Sequence, residues 1–175
     1  MMVDLIRMGA VLALVVWGFG CQESEPGALI DHELWELASP DQDPFFDQVT
    51  EPIDCPRGAY RVEGQDSEQV FELDTGLCNY LAIVQPSLRE IREGDTLEWS
   101  MWHLNLVATE PAAAVIGVFV GEHTIWERTI PIPGAPGAYL VELTAGFSAP
   151  AGTPVLVHIH NHGANNWKIH RFRTK

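Results

Sequence analysis

The stretch Pro154-Val155-Leu156-Val157-His158-Ile159-His160-Asn161-His162 decides the fold. Its side chains alternate: Val155, Val157 and Ile159 fall on one side of an extended chain, and His158, His160 and His162 on the other. Strict alternation over this length predicts a strand with one face on a core. The apolar set faces inward, which turns the histidines toward solvent or a concave groove.

Working outward, segments 70–75, 78–87, 96–108, 113–120, 123–132, 138–144 and 167–173 are also rich in β-branched, aromatic or aliphatic residues. Between them stand Gly94-Asp95, Gly121-Glu122, Pro133-Gly134, Pro136-Gly137, Ala151-Gly152 and Gly163-Ala164, which supply the backbone that reversals need. No helix-period segment follows Cys55, which argues against a parallel sheet with crossover helices. The expectation is an all-β, antiparallel two-sheet sandwich of about eight or nine strands, spanning 54–175.

The N-terminus reads differently. After Arg7, residues 8–20 (MGAVLALVVWGFG) run without a charge for 13 positions, short of the ~20 residues a membrane-spanning helix needs but suited to a signal peptide. The run ends at Gly20-Cys21, which resembles the lipobox of bacterial lipoproteins. The resemblance implies removal of 1–20 and a membrane partner reached through palmitate-type acyl chains on Cys21. Gln22 rather than aspartate at the next position implies the outer membrane rather than the inner. Cleavage as an ordinary secreted protein is the alternative.

With Cys21 lipidated, Cys55 and Cys78 remain as an even pair in an oxidising compartment, and a disulfide follows. A loop of this size stabilises by about 3 kcal/mol in the chain-entropy model. Their spacing fits neither a CxxC redox motif nor a zinc knuckle.

Of the net charge of −14, most belongs to one segment: residues 22–54 hold ten acidic residues and no Lys or Arg, whereas 55–175 hold thirteen acidic and nine basic. Broken by Pro26, Pro40, Pro44 and Pro52, residues 21–53 are expected to form an extended, solvated tether. Within it, 28–38 (ALIDHELWELA) has the spacing of a short amphipathic helix with Ile30, Leu34 and Leu37 on one face, able to dock on the domain. Nucleic acid is excluded as a partner, because phosphate binding needs a concentrated basic patch. Only Lys168, Arg171, Arg173 and Lys175 cluster, and solvation or contact with the tether accounts for them.

The order Glu93-Gly94-Asp95-Thr96-Leu97-Glu98-Trp99, the hairpin around Gly121, then 149–157 (APAGTPVLV) and 161–169 (NHGANNWKI) resemble the galactose-binding-like jelly rolls common among carbohydrate-binding modules. That resemblance implies a jelly roll with a ligand site on a sheet face or rim, a glycan or envelope-protein partner, and often a structural calcium. No acidic cluster here matches a calcium loop.

Two site readings follow. In a glycan site, Trp99, Trp102, Trp126 or Trp167 stacks on a sugar while Asn165, Asn166 and His162 supply hydrogen bonds; Trp99 shares parity with Leu97 and Met101 and so belongs to the core. In a transition-metal site, His158, His160 and His162 offer a His-x-His arrangement and His103 supplies a further ligand, with His123 and His170 behind it. Conventional catalysis has little support. There is no Gly-x-Ser-x-Gly elbow and no phosphate-cradling loop, and His32-Glu33-Leu34-Trp35-Glu36 lacks the second histidine of HExxH. A non-catalytic envelope module is therefore favoured over a metalloprotein.

Overall fold

The computed structural model describes residues 27–175; the expected signal peptide, 1–20, and Cys21 lie outside the described residues. Among the described residues, ten strands form two five-stranded sheets packed face to face. They are β1 (Glu36–Leu37), β2 (Tyr60–Glu63), β3 (Val70–Asp74), β4 (Tyr80–Pro86), β5 (Thr96–His103), β6 (Ala112–Val120), β7 (His123–Ile132), β8 (Gly137–Thr144), β9 (Pro154–Asn161) and β10 (Asn166–Thr174). The first sheet runs β1-β4-β9-β6-β7, the second β2-β3-β10-β5-β8, and every pairing is antiparallel.

The all-β sandwich is the expected class. The two strands not foreseen are β1, only two residues long, and β2, whose alternation of Tyr60 and Val62 with Arg61 and Glu63 is brief and lies at a sheet edge. Between the sheets lie Val155, Val157 and Ile159 of β9, Ile116 and Val118 of β6, Leu81 and Ile83 of β4, and Leu97, Trp99, Met101, Trp167, Ile169 and Phe172 of the second sheet. Alternation along each strand delivers these residues to one interior, where each large side chain contributes about 1.5–3 kcal/mol by leaving water. Trp99 meets Phe172 edge to face at 6.0 Å.

The acidic segment departs from expectation. Residues 28–53 are not an extended solvated tether but a strap that wraps the sandwich. The Leu29 amide donates to the Phe172 carbonyl and the Thr174 amide to the Gly27 carbonyl, so 27–29 lies beside the end of β10. Crossing the side of the sandwich, Leu29 and Ile30 are buried, and Trp35 packs against Phe71 at 6.4 Å. Then β1 pairs with β4, and the remainder passes over the outer face of the first sheet. The foreseen helix at 28–38 is replaced by a three-residue 3-10 turn, His32–Leu34, capped by Asp31, followed directly by β1; Leu34 and Leu37 point to solvent. Hydrogen bonds to β4 and β10 satisfy this backbone better than an isolated helix of such length could. Net charge misleads here because apolar residues recur through the strap and two of its carboxylates, Asp43 and Glu51, find histidine partners on β9.

The strap ends at Cys55, which is disulfide-bonded to Cys78. Among the described residues, basic C-terminal residues pair with sheet carboxylates: Lys168 with Glu63 (2.7 Å) and Glu72, Arg173 with Glu98 (2.9 Å), and Lys175 with Glu98 (3.0 Å) and Glu142.

Candidate functional sites on the two sheet faces

The histidines do leave the core, but His158 and His160 do not meet solvent; only His162, just past the end of β9, does. With Leu81, Ile83, Ile116, Val118, Val157 and Ile159 turned inward, the outer face of the first sheet presents Tyr80 and Ala82 on β4, His158 and His160 on β9, and Val115, Gly117 and Phe119 on β6. The strap covers this face. A Cβ on Gly117 would stand 2.7 Å from the rings of both Phe45 and Phe119, so glycine is what opens a seat for Phe45. Phe45 meets Phe119 at 5.4 Å and His158 at 5.2 Å, both edge to face, while Phe46 meets Tyr80 at 5.9 Å.

Beneath these rings Asp43 is fully buried, with its side chain and that of His158 at 0% and 1% exposure. Its Oδ2 accepts from His158 Nδ1 (2.7 Å) and from the Tyr80 hydroxyl (2.8 Å), and its Oδ1 accepts from the Phe45 amide (3.0 Å). Burial pushes the Asp43 carboxyl upward, but the three donors outweigh it and hold the group below the ordinary aspartate value. Tyr80 is pushed upward by burial and by the carboxylate that accepts its proton. His158 Nδ1 is therefore the protonated nitrogen, and its Nε2 is buried without a hydrogen-bond partner among the described residues.

At the mouth of the same face, His160 Nε2 and Glu51 Oε1 lie 2.5 Å apart, and His162 Nδ1 stands 3.6 Å from that oxygen. Hydrogen bonding from His160 holds Glu51 below the ordinary glutamate value, against a smaller upward push from burial. Glu51, His160 and His162 each bring one ligand-type atom within 4.8 Å of the others.

The metal reading is therefore corrected in its membership. His103 lies on β5, in the other sheet, facing the interior: its Nδ1 meets the Leu104 carbonyl at 2.7 Å, its Nε2 meets the Tyr139 hydroxyl at 3.3 Å, and its ring lies 4.6 Å from that of Trp167. A Cβ at Gly137 would come within 2.6 Å of His103 Nε2, so the imidazole is pressed against the β8 backbone. His158 is committed to Asp43. The sequence reasoning missed Asp43, Glu51 and Tyr80, because nothing local in an acidic, proline-broken segment marks which carboxylates dock.

The glycan reading is also redistributed. Trp167 is fully buried, with its indole N–H donating to Asn161 Oδ1 (3.1 Å), and cannot offer a face to a sugar. Asn165 is buried against Thr75, whose hydroxyl lies 3.0 Å from both its Oδ1 and its carbonyl. Trp126 contacts Tyr139 at 5.0 Å and closes the side of the sandwich where β7 and β8 meet. Asn166 donates to Glu72 (2.6 Å).

Trp102 remains. It faces outward from β5, opposite to the buried Met101 and His103, with Lys168 of β10 and Ala138 of β8 as its cross-strand partners and His170 5.5 Å away edge to face. From Trp102 the row continues through Lys168 and Glu72 to Arg61, which pairs with Glu72 at 2.6 Å. These ion pairs fix polar groups beside the indole; one of their members, Glu63, is pulled down to about 2 by Lys168 first and then by its other hydrogen-bonding neighbours. On the indole's other side lie Ala138 and Leu140, the latter 68% exposed. The two sheets thus differ: one outer face is filled by the strap, and the other carries a partly exposed tryptophan in a charged field.

No protein-family model and no curated protein matches the sequence. Among solved structures, the chain is similar to a module described as a non-crystalline cellulose specific carbohydrate-binding module, CBM28, at 10% identity and a TM-score of 0.52, covering 87% of this chain and 94% of that one. A family 11 carbohydrate-binding module from Clostridium thermocellum, in complex with a β-1,3-1,4-mixed-linked tetrasaccharide, aligns at 7% identity and a TM-score of 0.43 over 84% of this chain and 94% of that one. A CBM61 module in complex with β-1,4-galactotriose aligns at 10% identity and a TM-score of 0.40 over 71% and 86%. At these identities the likeness concerns fold, and the first alignment carries it: the chain has the antiparallel β-sandwich architecture of a carbohydrate-binding module.

Proposed function

We propose that this protein is a non-catalytic carbohydrate-binding module of the bacterial cell envelope, anchored by lipid on Cys21 and binding glycan on the outer face of its second sheet. The observation that carries this reading is the position of Trp102: partly exposed, facing outward from the second sheet, beside Lys168 and the Glu72–Arg61 pair. Sugars are bound by an aromatic face against their axial C–H surface and by fixed polar groups at their hydroxyls, and this face supplies both. Leu140 extends the apolar ground next to the indole. The sandwich likeness to a cellulose-specific module supports the same class of ligand.

The test is affinity electrophoresis and calorimetry of the full chain in detergent against β-glucans, β-galactans and peptidoglycan. At least one is retained by the wild type, and Trp102→Ala weakens that binding about tenfold or more, since losing a stacked ring forfeits on the order of 1.4 kcal/mol or more. A wild type that retains no glycan, or a Trp102→Ala variant that binds as well as wild type, overturns the reading.

The anchor is tested separately. Full-length protein incorporates labelled palmitate and partitions into detergent, and Cys21→Ser abolishes the label and moves the chain to the aqueous phase. A Cys21→Ser variant that still partitions with detergent refutes the lipid.

A further inference from the structure

We propose that Glu51, His160 and His162 form a binding site for a single divalent late-transition ion, with zinc as its reference occupant, that clamps the strap to β9. It is independent of the glycan reading, since it lies on the opposite sheet.

The donor set is two imidazoles and one carboxylate, a combination suited to zinc and its neighbours rather than to calcium or magnesium, which prefer oxygen alone. For ligand bonds of about 2.0–2.1 Å at a tetrahedral angle, neighbouring donor atoms stand about 3.3 Å apart. The two separations at the Glu51 oxygen, 2.5 Å to His160 and 3.6 Å to His162, straddle that value, and all three atoms lie within 4.8 Å of one another. Small side-chain rotations of Glu51 and His162, which are 29% and 49% exposed, bring the set to bonding distance without moving the sheet. His160 is held more firmly, at 6% exposure and with its ring edge-on to Tyr80 at 6.4 Å. The site has one buried anchor, two adjustable ligands and a solvent side from which an ion enters and where water completes the coordination.

The Asp43–His158 pair on the same face is already committed. Asp43, buried over the same sheet face, already accepts three hydrogen bonds, and His158 is tied to it. What distinguishes this site from a surface histidine pair is its span: Glu51 is 109 residues from His160, and it belongs to the strap while both imidazoles belong to β9 and the turn after it. An ion bound here is a cross-link in addition to an occupant.

The test is titration of the metal-free full chain in detergent with Zn²⁺, followed by calorimetry and thermal unfolding. One equivalent binds, the melting temperature rises, and hydrogen exchange in 43–51 slows. Glu51→Gln and His162→Ala each weaken Zn²⁺ binding about tenfold or more. His123→Ala, an exposed histidine stacked on Phe147 away from the site, leaves it unchanged. Both ligand variants replace partly exposed side chains, and circular dichroism verifies their folding. Absence of stoichiometric binding by the wild type, equal affinity in His162→Ala, or loss in His123→Ala comparable to the ligand variants overturns the proposal.

Discussion

Replacing Asp43 with alanine should destabilise the protein by about 3–5 kcal/mol, since three buried donors each lose their acceptor at about 1–3 kcal/mol apiece. Asp43 is the acceptor for His158 Nδ1, the Tyr80 hydroxyl and the Phe45 amide, so the substitution strands three donors beneath two aromatic rings. The strap then lifts, hydrogen exchange across 40–50 accelerates, and the midpoint of urea unfolding falls. Asp43→Asn keeps one acceptor oxygen and should lose less. The pH dependence has a definite sign. Because the folded-state pKa of Asp43 is depressed below its ordinary value of 3.8, its contribution is complete above that value and is lost as pH falls through the lower folded pKa. Acidification below about pH 3.8 should therefore loosen the strap of the wild type but change exchange in Asp43→Ala less. Unaltered protection of 40–50 in the variant at neutral pH would contradict the docked arrangement.

The second large effect belongs to Trp167. Trp167→Ala should cost about 3–5 kcal/mol, as large-to-small changes at fully buried aromatic positions do. The indole is wholly enclosed between the sheets, lies 4.6 Å from the His103 ring, and satisfies Asn161 Oδ1, which would lose its donor. For a domain of this size the melting temperature should drop by on the order of 10 °C. Trp102→Ala removes a partly exposed ring and should shift melting far less. Equal melting of the two variants would place both indoles in comparable surroundings, contrary to their burial. This pair separates two tryptophans that sequence alone ranked together as sugar platforms.

How much was legible follows from periodicity. Eight strands of the sandwich could be drawn from alternation and turn residues, and β5 to β10 lie close to where those patterns put them, because an inward-facing position every second residue is written into sequences such as 154–161. Edge strands carry no such demand: β1 has two residues and only one hydrogen-bonded neighbour, β4. The strap was read from its charge and prolines, and those say nothing about pairwise partners. The helical spacing of Ile30, Leu34 and Leu37 pointed to the wrong element, and Phe45 and Phe46 form no period, yet Leu29, Ile30, Phe45 and Phe46 each pack on a surface built by distant sequence. For the histidine strand, parity predicted which way His158 and His160 point but not what would lie over them. Parity also could not exclude His103, since membership of the same sheet is a matter of topology; β5 and β9 lie in different sheets. Trp102 and Trp167 differ by strand parity relative to their neighbours, a distinction visible for Trp99 and equally present, though unused, for Trp102 beside Met101.

The route of the strap has a mechanical consequence. Among the described residues, a pull from the N-terminal side of the strap would load first the hydrogen bonds between 27–29 and the end of β10, then β1, then the aromatic and carboxylate contacts over the first sheet. Peeling proceeds in that sequence until tension reaches Cys55, whose covalent bond to Cys78 transfers the load into the sandwich. Residues 27–54 would then pay out roughly 95 Å of chain, at about 3.4 Å per extended residue, while the ten-strand body loses only its shortest member. Under such a load the strap would be an extensible length whose limit is set by the Cys55–Cys78 disulfide.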